Sequence, residues 1–137
     1  MAIKIQACDP PTFELIRSYI SEFELDDRAL QPEQFLIAII NDKLAGFGRI
    51  REYAECTEMC SMGVLPEFRN KGVAKELTKA LIQKTVKPLY LVCIIPHFFE
   101  NFNFKIVTTY PPELKNKLDY CTGELVVEET YVVMKLQ

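Results

Sequence analysis

The sequence predicts an α/β fold, a mixed and mostly antiparallel sheet of about six to seven strands flanked by helices. Three observations lead there. Runs such as "FLIAII", "LYLVCII" and "TYVVMKL" are rich in β-branched and aliphatic residues, as strands are. The stretch beginning "VAKELTKAL" switches to a helical period. Turn and breaker residues (Asn41-Asp42, Pro66, Pro88) separate these runs.

The elements follow in order. "IKIQAC" opens as a short alternating strand. Asp9 then suits the N-cap of a helix whose first position is Pro10, where the missing N–H costs nothing. Phe13, Ile16, Ile20 and Phe23 recur at three- and four-residue spacing and give that helix one apolar stripe. "ELDDRALQPEQ" is a polar excursion with room for a short helix. "FLIAII" and "KLAGFGRIREYAE" make a hairpin that turns at Asn41-Asp42. A further strand, "CTEMCSMGV", runs until Pro66, which cannot donate to a ladder.

From Gly72, residues Val73, Ala74, Leu77, Ala80 and Leu81 fall on one helical face, and Pro88 closes that helix. "LYLVCII" reads as a strand covered on both faces. "PHFFENFNF" gives a short helix whose phenylalanines suit one buried face, and a strand follows near "FKIVT". "PPELKNKLDY" gives another short helix, and "TYVVMKL" the last strand. No repeat or linker interrupts this order, so residues 1–137 are expected to form a single domain.

Composition narrows the function classes. The chain has 137 residues, 49% of them hydrophobic, with net charge −3. No apolar run approaches the roughly 20 residues of a membrane span, and "MAIKIQACDPP" lacks the apolar core of a signal peptide, so a cytoplasmic location is expected. No basic stripe with interleaved aromatics marks a nucleic-acid surface. The five cysteines are odd in number and scattered, and no histidine completes a zinc set around Cys56 and Cys60. Reduced, mostly buried thiols and no metal are the expectation.

The stretch "MGVLPEFRNKGVAKEL" carries the chemistry. A strand feeds a basic, glycine-containing loop that opens a helix. The first N–H groups of a helix lack internal partners and sit at the positive end of its dipole, which suits a phosphate group. Gly72 lets the backbone approach a ligand, and Arg69 and Lys71 add charge. A plain strand-to-helix turn with solvated basic residues is the alternative.

The run from Val64 through Pro66, Arg69 and Gly72 to Ala74 resembles the central motif of the GNAT superfamily of acyl-CoA-dependent N-acetyltransferases. "INDKLAGFGRI" resembles the hairpin before that motif, and "LYLVCIIPHFFENFNF" the strand and helix after it. The resemblance implies a GNAT fold with splayed central strands, acetyl-CoA as co-substrate, a small-molecule amine as acceptor, and pairing into a homodimer. It implies that main-chain N–H groups of Arg69, Asn70, Lys71, Gly72, Val73, Ala74 and Lys75 hold the pyrophosphate. It also implies that Val64 pairs with the pantetheine arm along a bulged strand, and that the N–H of Met62 faces the thioester carbonyl, where a donor stabilises developing charge.

An amine arrives protonated and needs a base. Glu58 lies six residues before Val64, an offset at which some GNAT members carry a catalytic glutamate; a surface or ion-paired carboxylate is the alternative. The departing thiolate needs an acid. Relatives use a tyrosine where Phe99 stands here, which leaves water, Tyr120 or Tyr110 as candidate acids, or a module that binds acyl-CoA without turnover. The phenylalanine pair resembles the N-acetylglutamate synthase branch, which implies an amino-acid-like acceptor. Arg49 or Arg51 suits the carboxylate of such an acceptor, though surface charge is the plainer account. His97 reads as a cap or exposed residue, and a covalent route through Cys60 is not needed.

Overall fold

The computed structural model describes residues 2–124 and 130–137. Its strands are hydrogen-bonded in the order β1-β2-β3-β4-β5-β7-β6, seven in all. The chain divides into two compact units, Met1–Ile50 with Cys60–Lys84, and Arg51–Met59 with Thr85–Gln137. Strands β3 (Lys43–Glu52) and β4 (Thr57–Val64) each cross the sequence boundary between the units.

In the first unit, β1 (Lys4–Ala7) lies antiparallel to β2 (Phe35–Ile40), and β2 antiparallel to β3. The hairpin turns at Asn41 and Asp42, with φ of 50° and 64°. Both residues tolerate the left-handed region that tight hairpins require. Helix α1 (Pro10–Glu22) starts as its sequence demands, because Asp9 accepts the N–H of Thr12 at 2.8 Å. That bond holds the Asp9 carboxyl below its ordinary range. Ile16 and Ile20 of α1 pack with Phe35, Ile37, Phe47 and with Leu77 of helix α2 (Val73–Gln83) in one core. The polar excursion before β2 contains a 3₁₀ turn at Pro32–Gln34.

The second unit is built on β5 (Leu89–Cys93), which pairs antiparallel with β7 (Val132–Leu136); β7 pairs in turn with β6 (Phe104–Ile106). The start of β4 runs parallel to β5 through Thr57↔Leu89 and Glu58↔Tyr90. Strand β5 ends at Cys93, before the expected Ile95, because Ile95 caps helix α3 (Pro96–Glu100) and its backbone has left the extended region. Helix α4 (Pro112–Glu124) runs past the expected "PPELKNKLDY". Cys56, Tyr90, Leu114 and Val133 form one core cluster of this unit, where Leu89, Leu91, Phe104 and Met134 are also buried. Acceptor choice is expected to depend on the stretches around residues 24–33 and 108–125, and residue 125 lies outside the described residues. Among the described residues no helix is long and apolar enough to cross a membrane.

Close packing in the first unit fixes Gly46 by space alone. A Cβ at Gly46 would lie 2.7 Å from Val73 Cγ1 and 2.9 Å from the carbonyl oxygen of Gly63. Gly63 lies on β4 and its backbone oxygen cannot rotate away, so the backbones of β3 and β4 must shift, as well as the Val73 side chain, to admit a methyl group. Gly46→Ala should therefore cost about 1–3 kcal/mol. The expected readout is a lower urea midpoint with an unchanged m-value; a parental midpoint would show that the contact relaxes freely.

Candidate functional site

The loop after β4 is built from two left-handed residues. Leu65 leaves the strand, a 3₁₀ turn covers Pro66–Phe68, and the Arg69 N–H donates weakly to the Pro66 carbonyl at 3.4 Å. Asn70 then takes φ 63° and Gly72 φ 85°. Asparagine tolerates this region through its short polar side chain, and glycine does so without cost. A Cβ at Gly72 would meet no protein atom within 4 Å, so dihedral angle and not crowding selects glycine here.

The consequence is a row of unspent donors. The first bond of α2 runs from the Glu76 N–H to the Gly72 carbonyl at 3.1 Å, and Gly72 provides no side-chain cap. Among the described residues, no backbone carbonyl accepts the N–H groups of Asn70, Lys71 and Gly72, and those of Val73, Ala74 and Lys75 are the orphan donors of the first turn. Lys71 and Lys75 are exposed beside them. The Arg69 side chain is otherwise engaged. Its Nε donates to the Val64 carbonyl at 3.1 Å, and its guanidinium lies over the Phe23 ring, 5.6 Å from the centroid.

Strand β4 is irregular upstream of this loop. Ser61, a buried residue, has φ 52°. Beyond it the alternation is clear: the Leu65 N–H donates to Ala45 on β3 at 2.9 Å. Neighbouring residues of a strand present their polar groups to opposite edges, so Val64 and Met62 face away from β3. Ser61 Oγ donates to the Asp26 carbonyl at 2.7 Å and accepts from Arg49 Nε at 2.9 Å.

Arg49 is 0% exposed, which corrects both expectations for it: it is neither a surface charge nor open to an acceptor carboxylate. Its remaining donors reach Gln34 Oε1 (2.9 Å), the Asp26 carbonyl (3.2 Å) and the Ala29 carbonyl (3.4 Å). The Asp26 carboxylate lies 3.8 Å from Arg49 Nη2 and is gripped at both oxygens by Arg28. Arg51 instead lies over the Tyr53 ring at 5.5 Å.

The second unit contains Glu58, also 0% exposed. Its Oε1 accepts the Tyr53 hydroxyl at 2.9 Å, and its Oε2 lies 2.9 Å from Lys117 Nζ. Lys117 is buried because it stands on the inward stripe of α4 with Leu114 and Cys121. Burial, with Glu113 and Glu58 nearby, pushes the Cys56 thiol above its ordinary range. Phe99 is buried against Phe98 and Phe104, with ring centroids 5.0 and 5.9 Å away. Tyr120 is half-buried on α4, and Tyr110 is half-buried against the Cys56–Tyr90 core. His97 is exposed, 3.1 Å from Glu100. Cys56, Cys60, Cys93 and Cys121 are buried and, among the described residues, outside any disulfide.

Sequence reasoning passed over Lys117, Tyr53, Asp26 and Ser61. Lys117 had a readable signal, a cation in the apolar stripe of a helix. Asp26 and Ser61 had none, since their partners lie 23 and 12 residues from them at Arg49. Removing one member of a buried ion pair strands the other, at about 3–5 kcal/mol. Lys117→Met and Glu58→Gln should each lower the denaturation midpoint, and the double variant should lose less than their sum. Strict additivity in that cycle would mean the two groups do not interact.

A family model described as the acetyltransferase (GNAT) family matches residues 2–104. No curated protein matches the sequence significantly. Among solved structures, N-acetylglutamate synthase from Neisseria gonorrhoeae, complexed with coenzyme A and N-acetyl-glutamate, aligns with TM-score 0.74 and 16% identity over 100% of this chain. The chain spans 36% of that enzyme's length. Rv2747 from Mycobacterium tuberculosis, solved with CoA, aligns with TM-score 0.78 and 13% identity, covering 97% of this chain and 98% of its own. Naa50 from Arabidopsis thaliana, solved with a CoA-containing bisubstrate analogue, gives 0.70 and 12%, over 100% and 99% of the two chains.

Proposed function

The chain belongs to the acetyltransferase (GNAT) family, and from that premise we propose that it moves an acetyl group from acetyl-CoA to the primary amine of a small, amino-acid-like acceptor by direct attack, with residues 1–137 acting as one acetyltransferase domain. The observation that carries the reading is the row of unspent main-chain donors from Asn70 to Lys75. A diphosphate supplies the acceptors these groups lack, and the α2 dipole with Lys71 and Lys75 adds positive charge. The CoA-bound relatives, including the synthase solved with N-acetyl-glutamate, support both the co-substrate and the acceptor class.

Each residue then has a task. The Met62 N–H donates to the thioester oxygen and stabilises the charge that forms as the amine attacks. Val64 pairs with the pantetheine arm, and for its carbonyl to accept an amide, Arg69 Nε must let go. Glu58 is the base. Because it is buried, the ammonium proton reaches it through the half-buried Tyr53, whose hydroxyl donates to Glu58 as its oxygen accepts from the amine. Phe99 supplies no proton to the leaving thiolate, and Tyr120 is the candidate for that role.

Two observations favour a second reading, a GNAT module that binds acyl-CoA or a protein partner without turnover. Phe99 replaces the family's tyrosine and is packed among other rings. Lys117 already neutralises Glu58. Thiol release from acetyl-CoA across amino acids, polyamines and peptides separates the readings. Turnover with amino acids is the expected result, and silence with intact CoA binding establishes the module.

Gly72→Val forces a β-branched residue to φ 85° and crowds the phosphate face. CoA affinity should fall by at least about tenfold, or 1.4 kcal/mol. Unchanged affinity in calorimetry would remove the loop from the site. Glu58→Gln should depress turnover most at low pH, where free amine is scarce, and a parental pH profile would dismiss Glu58 as base.

A further inference from the structure

We infer that Ser61 and Arg49 form a positioning pair that fixes the Met62 N–H and ties it to the loop between α1 and β2. The inference rests on the acetyl-transfer reading for the task of Met62, but its structural basis is independent. Ser61 takes φ 52° in the middle of a strand, where serine gains nothing from the left-handed region. Such a conformation persists only when the surroundings over-determine it.

Here they do. The Ser61 hydroxyl is spent twice, donating to the Asp26 carbonyl at 2.7 Å and accepting from Arg49 Nε at 2.9 Å. Relaxing Ser61 to extended backbone would swing the hydroxyl away. A fully buried guanidinium N–H would then be stranded, and the Asp26 carbonyl would lose its shorter bond and keep the 3.2 Å one from Arg49 Nη2. The left-handed kink is therefore held by the cost of undoing those bonds.

The Met62 N–H belongs to the peptide plane that follows Ser61, so the Ser61 dihedral angles decide where that donor points. The other end of the network lies in a different element. Arg49 also binds the carbonyls of Asp26 and Ala29 and the side chain of Gln34, all between α1 and β2. One buried side chain thus carries the shape of that loop into β4, next to the donor. Lysine cannot replace it, since a single ammonium does not reach four separated acceptors.

Substitutions at Ser61 test the pair without removing the buried arginine. Ser61→Ala keeps a Cβ and loses the hydroxyl, so the kink has a cost and no holder. Ser61→Gly also loses the hydroxyl but adopts φ 52° freely. If the kink is what matters, Ser61→Ala should lower kcat on the order of tenfold, less than deleting an oxyanion donor outright. CoA affinity should stay parental, and Ser61→Gly should recover most of kcat. A purely stabilising role would predict equal losses of stability in both variants and parental kcat in both; that outcome overturns the inference.

A second readout does not need turnover. A donor on the thioester oxygen favours acetyl-CoA over CoA, so calorimetry of the parent should show tighter acetyl-CoA binding. Ser61→Ala should erase that margin and Ser61→Gly restore it. A margin that survives Ser61→Ala sinks the positioning role even in a protein without turnover. A parent that binds neither ligand sinks the acetyl-CoA reading itself, and the role of Met62 with it.

Discussion

A buried charge must be matched where it sits, and that requirement organises both compact units. In the first, the Arg49 guanidinium is wholly enclosed and reaches a carboxylate, two main-chain carbonyls, an amide oxygen and a hydroxyl. In the second, Glu58 and Lys117 meet at 2.9 Å away from water. Leaving such a group unmatched costs far more than an exposed ion pair returns. The partners of Arg49 are four residues from two stretches of chain, so satisfying one side chain fixes the polar loop at residues 26–34 and the kink at Ser61 together.

The two long helices near the start of the chain show how backbone polarity is spent. Helix α1 closes its N-terminus with Asp9, whose carboxylate takes the Thr12 N–H. Helix α2 opens on a glycine with no side-chain acceptor to offer, after an asparagine also in the left-handed region. A protein concerned only with stability would place serine or aspartate there. Leaving donors open is reasonable when an outside acceptor is expected, and it gives the acetyl-CoA reading its physical footing. The detail that Arg69 folds back onto Val64 and Phe23, and not outward, assigns the loop's exposed positive charge to Lys71 and Lys75.

The departures from the family's usual residues are as informative as the matches. Phe99 lies in a cluster of rings with Phe98 and Phe104, which explains why an apolar residue is comfortable there: a tyrosine hydroxyl would need a partner in an aromatic setting. Glu58, the proposed base, is held on β4 by Lys117 and Tyr53. Any proton delivered to this carboxylate would enter a pre-existing network and not an isolated acid.

Local patterns determined much of this protein by themselves. Apolar runs, alternation and helical spacing placed the strands and α-helices found among the described residues, because each pattern is written in consecutive residues. Asp9-Pro10 marked a helix start and Asn41-Asp42 a hairpin, since both act on their immediate neighbours. The open donors of the loop before α2 follow from a glycine at the mouth of a helix, although the row starts at Asn70 and not at the expected Arg69, whose N–H donates to Pro66. What tertiary structure decided was the fate of charge. Arg49 read as a surface cation or a partner for an acceptor carboxylate, and nothing in the sequence reading singled out Lys117, yet both are buried. Each is enclosed by residues distant in sequence, and the desolvation that makes them matter exists only after those segments have packed.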